Sequence, residues 1–424
     1  MLVIGAGPVG LSAAKILNGA TEVKVIFPKD PIRFISSPSG LKLNQDSASG
    51  TLWGNSEIWG NQHDLCLDYL GKSLGISDLS LPEITAQSLE REVQILNKIW
   101  QLTGDRRTPR NLHRSESIKP IPIIKNRAMR HPRMNIRNIQ KIQTPFKEID
   151  FSTISQNHIA VDSTTYEYDY LVVAAGGLSN IYLLSLIDNA NPGIFPGLIE
   201  MLGAGYSNHI RIKAFNAEFE KFMKLRPVLW RFKRSSLLPA FNFLTRQGGF
   251  SEPKISLRYW PLRESGFISR ILQEVGYFKR AELILYLEIP QVRKNKARFV
   301  HNGASDLSFQ FDYNFSDEII QAFQLKLQLL EEVLESEEMF AKLEKKFSFS
   351  PDLFKMDSHH HFGGTRMGGN DFDSVVDNFG KLHNSSNIYV VGTSVLSRSF
   401  PDHPTWLASL FAIRTAEHIM SLGD

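Results

Sequence analysis

The chain has 424 residues, 42% of them hydrophobic and 22% charged, with a net charge of +4 and one cysteine, Cys66. That length suits two packed domains of roughly 100–200 residues each, and the small net charge says little about partners. The lone cysteine excludes an internal disulfide and any CxxC pair and suits a reducing cytoplasm, while no apolar run reaches the roughly 18 residues that span a bilayer.

Leu2-Val3-Ile4 reads as a short buried strand, and its shortness points to a trimmed start. The apolar stretch Met1–Leu17 lacks the basic n-region of a secretory signal. Gly5-Ala6-Gly7-Pro8-Val9-Gly10 follows the strand, and Leu11 to Leu17 reads as a helix with small residues on one side. A GxGxxG run between a strand and a helix is the context that makes this pattern a dinucleotide loop. The first glycine makes the tight turn, the second admits the pyrophosphate, and the third lets helix pack on strand. The helix N-terminus then faces the phosphates. Val23–Phe27 reads as the second strand, stopped by Pro28. A carboxylate that holds the ribose belongs at its end, yet Phe27 stands there and the nearest acid is Asp30. On local grounds NAD and FAD both remain open.

Leu52–Gly60, rich in glycine and tryptophan, reads as an ordered loop. Residues 105–140 are basic and irregular, with Arg106, Arg107, Arg110, Arg114, Arg127, Arg130 and Arg133 among several prolines. They read as solvated loops, with an anion site as the alternative, and the scarcity of aromatics argues against nucleic acid. Tyr170–Gly177 is a second apolar strand that ends in a glycine turn. From Phe222 to Arg246, large apolar residues mix with basic ones. A core helix pair with basic outer faces is the first expectation there; a greasy entrance or weak membrane-surface contact through 222–246 is the second. Residues 283–313 read as strands with a turn at Lys294-Asn295-Lys296. Ser316-Asp317-Glu318 opens a long amphipathic helix through Leu334. Glycine-rich turns, a strand over Ile388–Gly392 and a helix from Thr405 to Met420 close the chain.

The C-terminal stretch carries the most specific pattern. It runs Ser358-His359-His360-His361-Phe362-Gly363-Gly364-Thr365-Arg366-Met367-Gly368, then Ser374-Val375-Val376-Asp377. Asn387–Val395 and Asp402-His403-Pro404-Thr405 follow. In order and spacing these resemble the closing signature of the glucose–methanol–choline (GMC) family of FAD-dependent oxidoreductases. Trp53–Gly60 looks like that family's second flavin loop, Val172–Leu184 like its glycine-turn strand and helix, and Leu202–His209 like the segment that ends its flavin half. Glu288-Ile289-Pro290 resembles a strand of its substrate sheet.

The resemblance implies a mixed α/β chain: a Rossmann-like FAD-binding domain of GMC type with an inserted antiparallel-sheet substrate domain. Residues 1–70, 115–208 and 356–424 are expected to form the first, 209–355 the second, with 71–114 a helical or loop insertion. The implied cofactor is FAD, touched by Gly5, Gly7, Pro8, Val9, Gly10, Gly54, Asn55, Ser56, Trp59, Ala175, Gly176, Gly392, Thr393, Ser394, Pro404 and Thr405. Anchored without gaps on Arg366-Met367-Gly368, the family's catalytic histidine falls on His360, with Gly364 where threonine is usual. Anchored on Gly364-Thr365 it falls on His361. The ungapped reading is preferred, with His403 as the partner that fixes the substrate hydroxyl. No metal is expected, because neighbouring histidines in an extended chain point to opposite sides.

The implied reaction is oxidation of an alcohol, a sugar or polyol first, by hydride transfer to flavin N5 with a histidine base. Partners are then the alcohol and an electron acceptor, a carrier rather than oxygen. A hydrophobic alcohol and a catalytically silent flavin-binding protein are the alternatives, the latter motivated by Phe27 and the short chain.

Overall fold

The computed structural model describes residues 1–29, 35–36, 62–64, 90–100, 118–120, 123–125, 134–224, 240–243, 254–274, 277–288, 291–301, 307–312, 316–336, 338–350, 352–353, 360–397 and 404–423. The expected flavin loop around Trp53–Gly60, most of the basic stretch 105–140, Cys66 and His403 lie outside them.

Five strands form a parallel sheet in the order Gln140–Thr144, Lys24–Pro28, Leu2–Ile4, Leu171–Val173, Ile388–Val390. Numbered along the chain this is 3-2-1-4-5, the order of doubly wound nucleotide-binding sheets. Leu2–Ile4, Leu171–Val173 and Ile388–Val390 are buried along their whole length. A parallel strand covered on both faces needs such unbroken apolar runs. Helices cover the sheet. Pro8–Leu17 packs on Thr405–Ser421, and Glu90–Trp100 joins them through the Trp100 indole N–H, which donates to Ser12 Oγ at 2.8 Å. The first helix starts at Pro8 rather than Leu11: proline at the first helical position has no N–H to lose and a backbone already set for the helix.

A second, six-stranded sheet pairs antiparallel throughout. Its order is Phe340–Lys345, His209–Lys224, Tyr277–Glu288, Lys254–Pro261, Ala240–Phe243, Ile118–Pro120. On His209–Lys224 the buried apolar residues are Ile210, Ile212 and Ala214, then Phe215, Ala217 and Phe219. The register shift between Lys213 and Phe215 is a bulge that reverses which parity faces inward. Phe323, Leu327, Leu330 and Leu334 of the helix Asp317–Ser336 complete this second core. That helix matches its expected extent, apolar positions three and four apart turning one face to the sheet.

Within Phe222–Arg246, the described residues 222–224 and 240–243 are strand rather than part of the expected helix pair. Residues 222–224 continue the long strand, with Met223 opposite Phe278, and Ala240–Phe243 pairs on both sides. Mixed apolar and basic spacing fits either period, and neighbouring strands supply the backbone partners that decide it. The hairpin Lys296–His301 and Leu307–Asp312 confirms strands in 283–313, although Lys296 already belongs to a strand. Its Ala297, Phe309 and Phe311 pack into the first core rather than the second. Among the described residues no helix is long and apolar enough to cross a membrane.

Candidate active site at the carboxyl edge of the parallel sheet

Three crossovers leave the carboxyl edge of the parallel sheet, and backbone bonds tie them together. Gly5 N–H donates to Ile26 O (2.8 Å), Ala174 N–H to Ile4 O (2.7 Å) and Val391 N–H to Val173 O (2.9 Å). The loop glycines divide into two kinds. Gly5 has φ +116°, and a Cβ there would lie 2.2 Å from Ala174 O; a Cβ on Gly10 would lie 2.2 Å from Gly5 O. These two permit close packing of chain on chain. Gly7 has an ordinary φ of −74°, yet nothing stands within 4 Å of where its Cβ would be. Gly176 has φ +109° and equally open space.

Gly7 and Gly176 are the N-caps of the helices Pro8–Leu17 and Gly177–Ala190, and no side chain caps either helix. Two helix starts with uncapped first turns therefore open at one edge, where an anion gains most from the backbone N–H groups. This cradle, which a Cβ at Gly7 would fill, fits a dinucleotide pyrophosphate. The ribose end fits less well: Phe27 is buried where a carboxylate belongs.

Sequence reasoning passed over the residue that knits the edge. Asn180, fully buried, accepts the Ala175 N–H on its Oδ1 (2.8 Å) and donates through Nδ2 to Val391 O (3.0 Å) and Ser394 Oγ (2.9 Å). Thr365 Oγ1 donates to the same Ser394 Oγ at 2.7 Å. The expected contact residues Ala175, Gly176, Gly392, Thr393 and Ser394 are thus brought together, with Gly5, Gly7, Pro8, Val9 and Gly10 beside them. Pro404 and Thr405 start the last helix, again with no side-chain cap. Gly54, Asn55, Ser56 and Trp59 lie outside the described residues, as does His403.

The histidine segment is held against the same edge. A Cβ on Gly177 would lie 2.5 Å from His361 O, and Thr393 Oγ1 donates to that oxygen at 2.6 Å. From the other side, residues 203–209 lace onto it: Gly203 N–H donates to Gly364 O (2.6 Å), and Ser207 and Phe362 exchange both backbone bonds at 2.9 Å. Asn208 Oδ1 accepts the N–H of His360 (3.2 Å) and of His209 (2.8 Å).

The two adjacent side chains then part, as alternation in an extended chain requires. His360, half-buried, lies with its ring 3.7 Å from that of His209, whose other neighbour is Tyr286. His361 is buried, and its Nδ1 sits 2.5 Å from the hydroxyl of Tyr206. Tyr206 is fully buried, edge-on to Phe311 and Phe309.

Gly364 bears on the choice between the two histidines. Its φ is +88°, and a Cβ would lie 2.3 Å from Ile181 Cδ1, so threonine has no place there. Thr365, by contrast, is buried with its hydroxyl bonded. Arg366 points away from the edge: its guanidinium donates to Asp373 O, and burial pulls its pKa below the usual range against the nearby Asp373. It closes the turn before Ser374.

Residues 298–412 match the family model of the GMC oxidoreductases. No curated protein matches the chain. Among solved structures, the crystal structure of pyridoxine 4-oxidase from Mesorbium loti shares the fold, at 14% sequence identity and a TM-score of 0.58 over 99% of each chain.

Proposed function

We propose that the chain is a GMC-type oxidoreductase, a reading supported by the match of residues 298–412 to that family's model, and that it oxidises an alcohol, a sugar or similar polyol first, with FAD and a histidine base. The observation that carries this reading is the seating of His361 against Gly177 and Thr393, at the edge where Gly7 and Gly176 leave room for a dinucleotide. A base beside a cofactor cradle is what alcohol oxidation needs.

Gly7, Val9 and Gly10 would hold the pyrophosphate through backbone N–H groups, with Ala175, Gly176, Thr393 and Ser394 beside it. Bound FAD would supply the acceptor for the hydride that leaves the alcohol carbon. The protein's part is the proton. Loss of the hydroxyl proton pushes the electron pair toward the carbon, and a neutral imidazole is a suited acceptor near neutral pH. We assign that role to His361. Gly364 fits the family's glycine and Thr365 its threonine, which favours the Gly364-Thr365 anchor over the ungapped one. His361 Nδ1 also meets the Tyr206 hydroxyl at 2.5 Å, and in this reading Nε2 takes the substrate proton. His360 lies on the neighbouring face, and His403 keeps its expected role as the group that fixes the substrate oxygen.

Phe27 supports a second reading, a chain that takes up no flavin. Loading the purified protein with FAD separates the two: yellow protein supports the enzyme, colourless protein after FAD incubation overturns it. Anaerobic bleaching with sugars, polyols, pyridoxine and long-chain alcohols then sorts the substrate class, and oxygen uptake against dye reduction sorts oxidase from dehydrogenase. His361→Asn is expected to slow bleaching by about 10² with FAD still bound. If His360→Asn does so instead, the ungapped anchor is the right one.

A further inference from the structure

Tyr206 is not among the residues expected to touch the cofactor or the substrate. It sits in the segment Leu202–His209, between the fixed backbone of Ser207 and the tight glycine Gly205, whose carbonyl leaves no room for a Cβ on Gly363. Its ring is held by Phe309 and Phe311 of the hairpin that packs into the first core. Its hydroxyl therefore has one place to be, and at that place is His361 Nδ1, 2.5 Å away, both groups buried.

We propose that Tyr206 is the positioning residue of the histidine base: its oxygen accepts the Nδ1–H of His361, which leaves Nε2 unprotonated to take the substrate proton. This rests on the reading of His361 as the base. A buried imidazole with no fixed partner at Nδ1 would interchange its two tautomers, and only one of them accepts a proton at Nε2. A hydroxyl can donate or accept at Nδ1; with Tyr206 accepting, the Nδ1–H tautomer is the one held. The same oxygen stabilises the imidazolium that forms when the substrate proton arrives, since both ring nitrogens are then donors. The aromatic body of Tyr206 supplies packing in either case; the hydroxyl is the functional part.

Tyr206→Phe removes that oxygen and keeps the ring. With FAD loaded, anaerobic bleaching by D-glucose, or by pyridoxine where glucose is inert, is expected to slow about tenfold, the rate equivalent of one hydrogen bond, with KM and FAD uptake unchanged. A second readout needs neither flavin nor substrate. In the native chain labelled with 15N-histidine, His361 (assigned by its loss in His361→Asn) is expected as a single Nδ1–H tautomer at neutral pH, and in Tyr206→Phe as an average of two.

An Nε2–H tautomer in the native chain overturns the proposal, whether or not Tyr206→Phe folds. So does an unchanged bleaching rate in a Tyr206→Phe protein that holds FAD. If His361→Asn bleaches at the native rate, the base reading itself has failed. If His361→Asn is slow and Tyr206→Phe is native in rate and spectrum, only the positioning role has failed.

Discussion

The two sheets of this protein bury their residues by different rules, and the site draws a different contribution from each. The parallel sheet is covered on both faces, so its strands are short apolar runs and its chemistry is confined to one edge, where glycines replace side chains. The antiparallel sheet buries one face against the helix Asp317–Ser336 and carries the ion pair of Lys213 and Glu282 on the other. Glu282 lies on that polar side, bonded to Lys346 (2.9 Å) and Lys213 (3.0 Å). The first sheet makes room by leaving atoms out; the approach to the second, residues 203–209, adds the side chains that fix the histidines. Backbone geometry governs one region and side-chain partners the other.

Substitution at the glycine edge breaks the contrast most sharply. Gly10→Ala places a Cβ against Gly5 O and is expected to cost more than about 3 kcal/mol, read as lost thermal stability of the unloaded protein. Gly7→Ala meets nothing, so it is expected to fold within about 0.5 kcal/mol of the native chain. It is nonetheless expected to bind FAD about tenfold more weakly, measured by flavin titration, because the added methyl stands in the cradle. Equal stability losses at the two positions would show that the open space beside Gly7 is not there.

Asn180→Ala probes the same edge through a side chain. It strips partners from the Ala175 N–H, Val391 O and Ser394 Oγ at once, at an expected cost of about 2–4 kcal/mol in denaturant unfolding. A loss below 1 kcal/mol, on that same order-of-magnitude scale, would mean that the crossovers hold themselves.

The smallest effect belongs to the antiparallel sheet. Burial pushes the Glu282 carboxyl up, but its bonds to Lys346 and Lys213 outweigh that and leave its pKa below the ordinary 4.5. A depressed carboxylate stabilises the fold above its unfolded value and loses that contribution as pH falls through the folded one. Because Lys213 is mostly exposed, Glu282→Gln is expected to cost only about 1 kcal/mol at neutral pH. The gap to the native chain should close as pH drops below 4.5. A gap that persists in acid would point to packing rather than charge.

Much of the edge was legible in the sequence because its signals are local. Gly5, Gly10 and Gly176 are glycines for reasons a strand–turn–helix pattern already contains, and the apolar runs at Leu2–Ile4 and Leu171–Val173 announce a covered sheet. Residues 222–224 and 240–243 were misread as helix because their spacing suits two periods, and only a neighbouring strand chooses between them. Asn180, Tyr206 and His209 lie in segments that resemble the family, but their roles were not legible, since each acts on a partner more than 150 residues away.

The sequence by itself determined the order of elements, the glycine loop and the presence of three consecutive histidines at the start of the C-terminal signature. An ungapped alignment preferred His360 to His361, although adjacent residues in an extended chain are equivalent until something lies on each side of them. The tertiary structure supplied those two sides: His209 beneath one ring, the Tyr206 hydroxyl against the other, and at Gly364 a backbone that only glycine adopts. Alternation separates the two side chains, and which is which is set by contacts that form only when the segment 203–209 meets the histidine segment.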